Sequence, residues 1–184
     1  DVYKSLEGSG RHLLRAIAEY LGLSVDYFDG KIHHGNSILR PIHYFPIENP
    51  DLVPDGAVRA AEHEDINLIT LLLGASAEGL QVMGSDGDWI DAKPNPDEIV
   101  INVGDMLQRL TNNRLKSTTH RVVNPPREKM NQPRYSMPFF LHPRAEMDLT
   151  CLDSCVDDSN PLAYTPITAG EYLEERLREI GLRK

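Results

Sequence analysis

Three side chains suited to a metal site stand out: His63 and Asp65, in the tripeptide His63-Glu64-Asp65, and His120 far downstream. Two imidazoles and one carboxylate hold a non-haem Fe(II) on one face and leave the opposite positions open for a further ligand and oxygen. Residues two apart in extended chain project to the same side, so His63 and Asp65 can reach one ion while Glu64 points elsewhere. His120 must then arrive from a distant strand. Beyond it comes Arg134-Tyr135-Ser136. A guanidinium grips a carboxylate with two parallel bonds, and a hydroxyl can add a third. A permanent charge on the inner face of a sheet is costly unless paired, and a bound dicarboxylic acid would supply the partner. The alternation carries Pro138 and Phe140 to the same side, which makes Phe140 either a wall of a substrate pocket or an ordinary core aromatic. The other histidines (His12, His33, His34, His43 and His142) have no comparable spacing. Triad and acid-binding pair together point to an oxygenase.

Such residues need a scaffold that brings distant segments together, and the pattern supplies one. An opening helix starts at Ser9 or Gly10, carries the apolar stripe Leu13, Leu14, Ile17, Ala18 and Leu21, and ends at Gly22. Short β-rich segments follow: Ile38–Phe45, Ile66–Leu73, Leu80–Met83, Ile99–Val103, Thr119–Val123 and Tyr135–Leu141. Turn residues separate them: Gly74, Gly79, Ser85-Asp86-Gly87-Asp88, Lys93-Pro94-Asn95-Pro96 and Asn124-Pro125-Pro126. A short helix, Asp105 to Leu110, interrupts the strands. Cys151 to Pro166 reads as an irregular connection packed on the sheet. Thr168-Ala169-Gly170-Glu171 is a capping box opening a last helix, with Leu173, Leu177 and Ile180 on one face and Gly181 at its end. Many short strands with Gly/Pro turns and helices at both ends indicate a mainly β sandwich or jelly roll.

Composition narrows the function classes. With 184 residues the chain can bury one substantial core, and its hydrophobic (40%) and charged (26%) fractions are ordinary for a globular protein. A net charge of -9 with scattered Lys and Arg argues against a nucleic-acid surface. No apolar run reaches the roughly 18 residues needed to span a bilayer, so no membrane is expected as a partner. The start, Asp1-Val2-Tyr3-Lys4, does not read as a signal peptide and lacks an initiator Met, so the chain reads as processed or truncated. Cys151 and Cys155 cannot form a four-cysteine zinc site; free thiols in a reducing cytoplasm are the expectation, with a short-range disulfide the alternative.

The matching stretches extend beyond single residues. They are His63-Glu64-Asp65, then Val103-Gly104-Asp105-Met106-Leu107-Gln108-Arg109-Leu110-Thr111-Asn112-Asn113, then Ser117-Thr118-Thr119-His120-Arg121-Val122-Val123-Asn124-Pro125, then Arg134-Tyr135-Ser136-Met137-Pro138-Phe139-Phe140, and Ile167-Thr168-Ala169-Gly170-Glu171-Tyr172-Leu173. In these the chain resembles the isopenicillin N synthase-like group of Fe(II)/2-oxoglutarate-dependent oxygenases. The resemblance implies a double-stranded β-helix (a cupin-like jelly roll), with His63, Asp65 and His120 as the catalytic iron ligands. Arg134 and Ser136 would hold the far carboxylate of 2-oxoglutarate. The cofactors implied are Fe(II), 2-oxoglutarate and O2, and the partner a small-molecule substrate oxidised as succinate and CO2 form. It divides the chain into residues 1–36, an N-terminal helix and linker left from a larger region; 37–150, the jelly-roll core; and 151–184, a connection and closing helix. The group often carries an Asn-Tyr-Tyr-Pro-like segment whose Asn and second Tyr contact the cosubstrate. Here it reads His43-Tyr44-Phe45-Pro46. Either His43 replaces the amide and Phe45 has lost the hydroxyl, or the register shifts by one and Tyr44 serves; His43 and Tyr44 are both candidates. Two alternatives stay open: an isopenicillin N synthase-type or aminocyclopropane-carboxylate oxidase-type Fe(II) oxidase that does not use 2-oxoglutarate, and a non-catalytic metal-binding jelly-roll protein.

Overall fold

The computed structural model describes residues 1–74, 78–95 and 97–183. Helix α1 (Val2–Tyr20) buries Leu6, Gly10, Leu14 and Ala18, one residue per turn, against the sheet. It begins earlier than the expected Ser9 or Gly10. A Cβ at Gly10 would stand 2.8 Å from Leu141 Cδ2, so this glycine lets the helix axis approach the sheet rather than start the helix. The helix ends as expected, with Gly22 at φ 71° and the Leu23 amide reaching back to the Ala18 carbonyl. A one-turn helix, α2 (Asp29–Ile32), follows that the pattern had not indicated.

Among the described residues nine strands form two sheets, with all their pairings antiparallel. They are β1 (Ile38–Leu39), β2 (Ile42–Tyr44), β3 (Val58–His63), β4 (Ile69–Leu73), β5 (Leu80–Met83), β6 (Trp89–Asp91), β7 (Ile99–Val103), β8 (His120–Val123) and β9 (Arg134–Leu141). One sheet runs β1-β9-β4-β7 with β2 also on β9; the other runs β3-β8-β5-β6. Inward residues of both sheets line one cavity between them, the geometry of the jelly roll.

β5 and β7 keep the bounds read from the pattern; β8 and β9 differ by one residue. The expected strand Ile38–Phe45 is two strands broken at Arg40-Pro41, because proline has no N–H for the ladder. The expected start at Ile66 falls instead in a loop, and β4 begins at Ile69. β3 and β6 escaped the pattern. β3 reads Val-Arg-Ala-Ala-Glu-His, poor in β-formers, and pairs with β8 in a shifted register. The turn residues 93–95 are described as an irregular segment, while Pro96 lies outside the described residues.

Helix α3 (Asp105–Leu110) and helix α4 (Ala169–Glu179) match expectation, and both hydrogen bonds of the Thr168/Glu171 capping box form. Leu173 packs on the core, whereas Ile180 is exposed. The irregular stretch between β9 and α4 is held largely by one side chain. Asn112 Nδ2 donates to the carbonyls of Cys155, Asn160 and Pro161, and its Oδ1 accepts from the Ala163 amide. Cys151 and Cys155 are buried free thiols.

Candidate metal centre

His63 ends β3 and His120 starts β8, and the two are direct partners in the β3–β8 register. Cross-strand pairing alone therefore brings two residues far apart in sequence side by side, their ring centroids 4.4 Å apart. Asp65 follows in the loop entering β4. One donor atom from each of the three lies within 4.8 Å of the others. Nδ1 of His63 lies 2.7 Å from the Ala61 carbonyl, and Nδ1 of His120 lies 3.0 Å from the Thr118 carbonyl. A carbonyl only accepts, so each Nδ1 carries the proton and donates. Each Nε2 lone pair is thereby left for a metal. Glu64 points away and accepts from the Thr119 hydroxyl at 3.4 Å.

Asp65 is 5% exposed and positioned by residues the sequence reading missed. Its Oδ2 accepts from the Thr70 hydroxyl at 2.6 Å and from Asn102 Nδ2 at 2.9 Å, while Thr70 accepts in turn from Asn67 Nδ2 at 2.8 Å. Oδ1 is left facing His120 Nε2 at 3.8 Å. Thr70 on β4 and Asn102 on β7 are register partners, so one rung of the sheet orients the carboxylate. The loop itself is pinned by the start of α3: the Asp105 amide donates to the Asp65 carbonyl, and the Met106 amide to that of Asn67. Gly104 allows this, since a Cβ there would meet the Asn67 backbone oxygen at 2.3 Å. The available signal was the single polar residue inside each of two apolar runs, Thr70 and Asn102.

Below the loop, burial pushes the Asp105 carboxyl up to about 7, opposed by a hydrogen bond from Tyr172 and by Arg176, whose Nε lies 3.3 Å away. Burial likewise lowers His142, near Asp65, to about 4 and keeps it neutral.

The other end of the cavity holds the candidate acid-binding pair. Arg134, the first residue of β9, is 1% exposed and Ser136 is 9% exposed. With Pro138 and Phe140 they line the cavity, as the alternation requires. Tyr44 is the register partner of Arg134, hydrogen-bonds to it, and sets its ring 5.1 Å from the guanidinium carbon. Phe45 is 74% exposed, so the register of this segment puts Tyr44 inside. His43 turns to the opposite face, stacks on Tyr135 at 4.6 Å, and lines a separate groove beside Pro41; the structure does not bring it to the cavity. Phe140 faces the cavity beneath the Arg40 guanidinium, 4.7 Å from its ring. The cavity encloses about 320 Å³, and its walls between the two polar ends are aliphatic, among them Leu72, Leu80, Val82, Val100 and Val122.

The family model of the 2OG-Fe(II) oxygenase superfamily matches residues 35–143. The chain belongs to this superfamily. Proteins of known structure superpose closely. A 2OG-Fe(II) oxygenase family protein from Caulobacter crescentus is 51% identical with a TM-score of 0.89, covering 97% of this chain and 57% of that one. A full-length Neurospora crassa protein in complex with alpha-KG is 36% identical with a TM-score of 0.88, covering 97% and 55%. Among curated relatives, the 2-oxoglutarate-dependent dioxygenase htyE of Aspergillus rugulosus is 37% identical over 184 residues, 95% of this chain and 55% of its own length. The chain spans about half the length of the curated relatives it matches. The oxygen- and imidazole-donor set of His63, Asp65 and His120, three ligands on one side with the other side open to the cavity, fits Fe(II).

Proposed function

We propose that this chain forms the catalytic core of an Fe(II)- and 2-oxoglutarate-dependent oxygenase that oxidises a small molecule with O2, giving succinate and CO2. The observation that carries the reading is one cavity bounded by both constellations: His63, Asp65 and His120 as a metal centre, and Arg134, Ser136 and Tyr44 as a carboxylate site. When bound, iron and keto acid supply the oxidising chemistry. The chain's own residues orient and exclude. Thr70 and Asn102 fix the rotation of the Asp65 carboxylate. Arg134 would hold the far carboxylate of the keto acid and the Ser136 hydroxyl would donate to it. The aliphatic walls keep water from the reacting centre. Phe140 and Arg40 offer a flat face at the cavity wall for the substrate.

The oxidase alternative rested on the altered His43-Phe45 segment. Tyr44 beside Arg134 supports the reading in which Tyr44 supplies the hydroxyl and 2-oxoglutarate is used. A reducing, cytoplasmic setting is supported by the two buried free thiols; among the described residues no helix is long and apolar enough to cross a membrane.

The test is anaerobic addition of 2-oxoglutarate to the Fe(II)-loaded protein, watching for the visible charge-transfer band of a keto acid chelated to iron. The band is expected in the wild type and lost at the same concentration in Arg134→Ala. A protein that binds Fe(II) and gives no band refutes the cosubstrate assignment.

A further inference from the structure

Behind Arg134 lies a second cavity, of about 490 Å³, which shares Leu72, Leu80, Ala92 and Arg134 with the first. Its lining is cationic: Arg59, Lys93, Lys129 and Arg134 face a single carboxylate, Glu78, in a chain whose net charge is -9. The two lysines have acidic neighbours, Lys129 with Glu78 at 3.6 Å and Lys93 with Asp91 at 3.3 Å. Arg59 differs. Its Nη2 is buried without a hydrogen-bond partner, and among the described residues no carboxylate pairs with it. The undescribed residues flanking Glu78 and Asn95 in sequence, Ala75, Ser76, Ala77 and Pro96, have no carboxylate side chain. The Tyr44 ring lies 5.8 Å from the Arg59 guanidinium carbon, and Arg134 also bears on it. Burial lowers the pKa of both guanidiniums, and the charge of Arg59 lowers that of Arg134 further.

Two guanidiniums gathered around one phenol ring, with a donor aimed at no acceptor, make a place where an anion lowers the energy. A confined cationic cavity in an acidic protein also concentrates anions.

We propose that this cavity is a second binding site for small dicarboxylates, with Arg59 its principal ligand and Lys129 at its solvent side, adjoining the cosubstrate site through Arg134. The inference deepens the cosubstrate reading, since the dicarboxylates of that reaction, 2-oxoglutarate and succinate, are its two natural occupants. Arg59 lines the cavity, and a guanidinium takes a carboxylate in a two-pronged geometry.

The experiment is anaerobic calorimetric titration of Mn(II)-loaded protein with 2-oxoglutarate and, separately, with succinate. Two equivalents of 2-oxoglutarate are expected. The weaker is salt-sensitive and falls at least about tenfold in affinity in Arg59→Met, and less in Lys129→Gln at the exposed rim. A second succinate equivalent with the same dependence on Arg59 identifies the coproduct as an occupant; a second equivalent with 2-oxoglutarate alone identifies the cosubstrate. One equivalent in the wild type, or a second equivalent unaltered in both variants, overturns the proposal. The Fe(II) charge-transfer band separates the two readings. Its absence sinks the cosubstrate assignment, while a band accompanied by a single equivalent sinks only the second site.

Discussion

Replacing Thr70 by valine keeps the shape of the side chain and removes one hydroxyl. That hydroxyl donates to Asp65 Oδ2 at 2.6 Å and accepts from Asn67 at 2.8 Å. A hydrogen bond to a charged acceptor contributes about 1.5–3 kcal/mol. Asn102 still donates to the same oxygen, so the loss belongs at the lower end of that range. At about 1.4 kcal/mol per decade, Fe(II) affinity should fall about tenfold, within the span seen when partners of metal ligands are removed. Thr70→Val with Asn102→Ala should reach about 100-fold, with some departure from additivity because both act on one oxygen. Affinity is measured by competition with a chelating dye under anaerobic conditions. Asn67 is fully buried and loses its acceptor in the variant, which should itself cost about 1–3 kcal/mol of stability; a thermal melt of the metal-free protein reads that separately. If the folded single variant binds Fe(II) within about a factor of two of wild type, Thr70 does not position the ligand and the argument fails.

Other substitutions probe the remaining links. His63→Ala or Asp65→Ala should abolish Fe(II) binding and turnover while leaving the circular dichroism spectrum intact; full activity in either would remove the site assignment. Gly10→Ala should lower the melting temperature by several degrees. Alanine favours a helix by about 1 kcal/mol, but a Cβ 2.8 Å from Leu141 forces a packed core side chain aside, a strain of about 1–3 kcal/mol. A raised melting temperature would show that α1 shifts freely. Asp105 keeps its proton to about pH 7 when folded, against an ordinary value of 3.8. Between those values the unfolded chain releases the proton and the folded one retains it, so this group's contribution to stability declines as pH rises from about 4 to 7. Urea midpoints of Asp105→Asn should lack that decline, and parallel curves for variant and wild type would disprove it.

Much of the site could be read from residue type and order because its chemistry is local. Arg134 and Ser136 sit two apart on β9, and period-two geometry puts them on one side whatever the strand's partners; His63 and Asp65 are also two apart, and the short separation keeps Asp65, in the loop after β3, within reach of the same point. The Thr168/Glu171 cap and the Gly22 stop are likewise short-range, set by backbone groups within a few residues. Pattern failed where a distant neighbour overrides local preference. Gly10 sits mid-helix because Leu141 lies against it, and β3, Val-Arg-Ala-Ala-Glu-His, is a strand because β8 pairs with it.

The amino-acid sequence by itself determined which groups could form a metal centre and a carboxylate site, since donor type and local periodicity are properties of short segments. Only the tertiary structure decided how they combine. Register between β3 and β8 brings His120 beside His63, and a rung between β4 and β7 aims Asp65. Pairing of β2 with β9 turns Tyr44, rather than His43 or Phe45, toward Arg134. Arg59, on β3 of the other sheet, reaches the same ring. These are choices of register between strands far apart in the chain, and a one-residue slip in any of them reverses which side chains face inward.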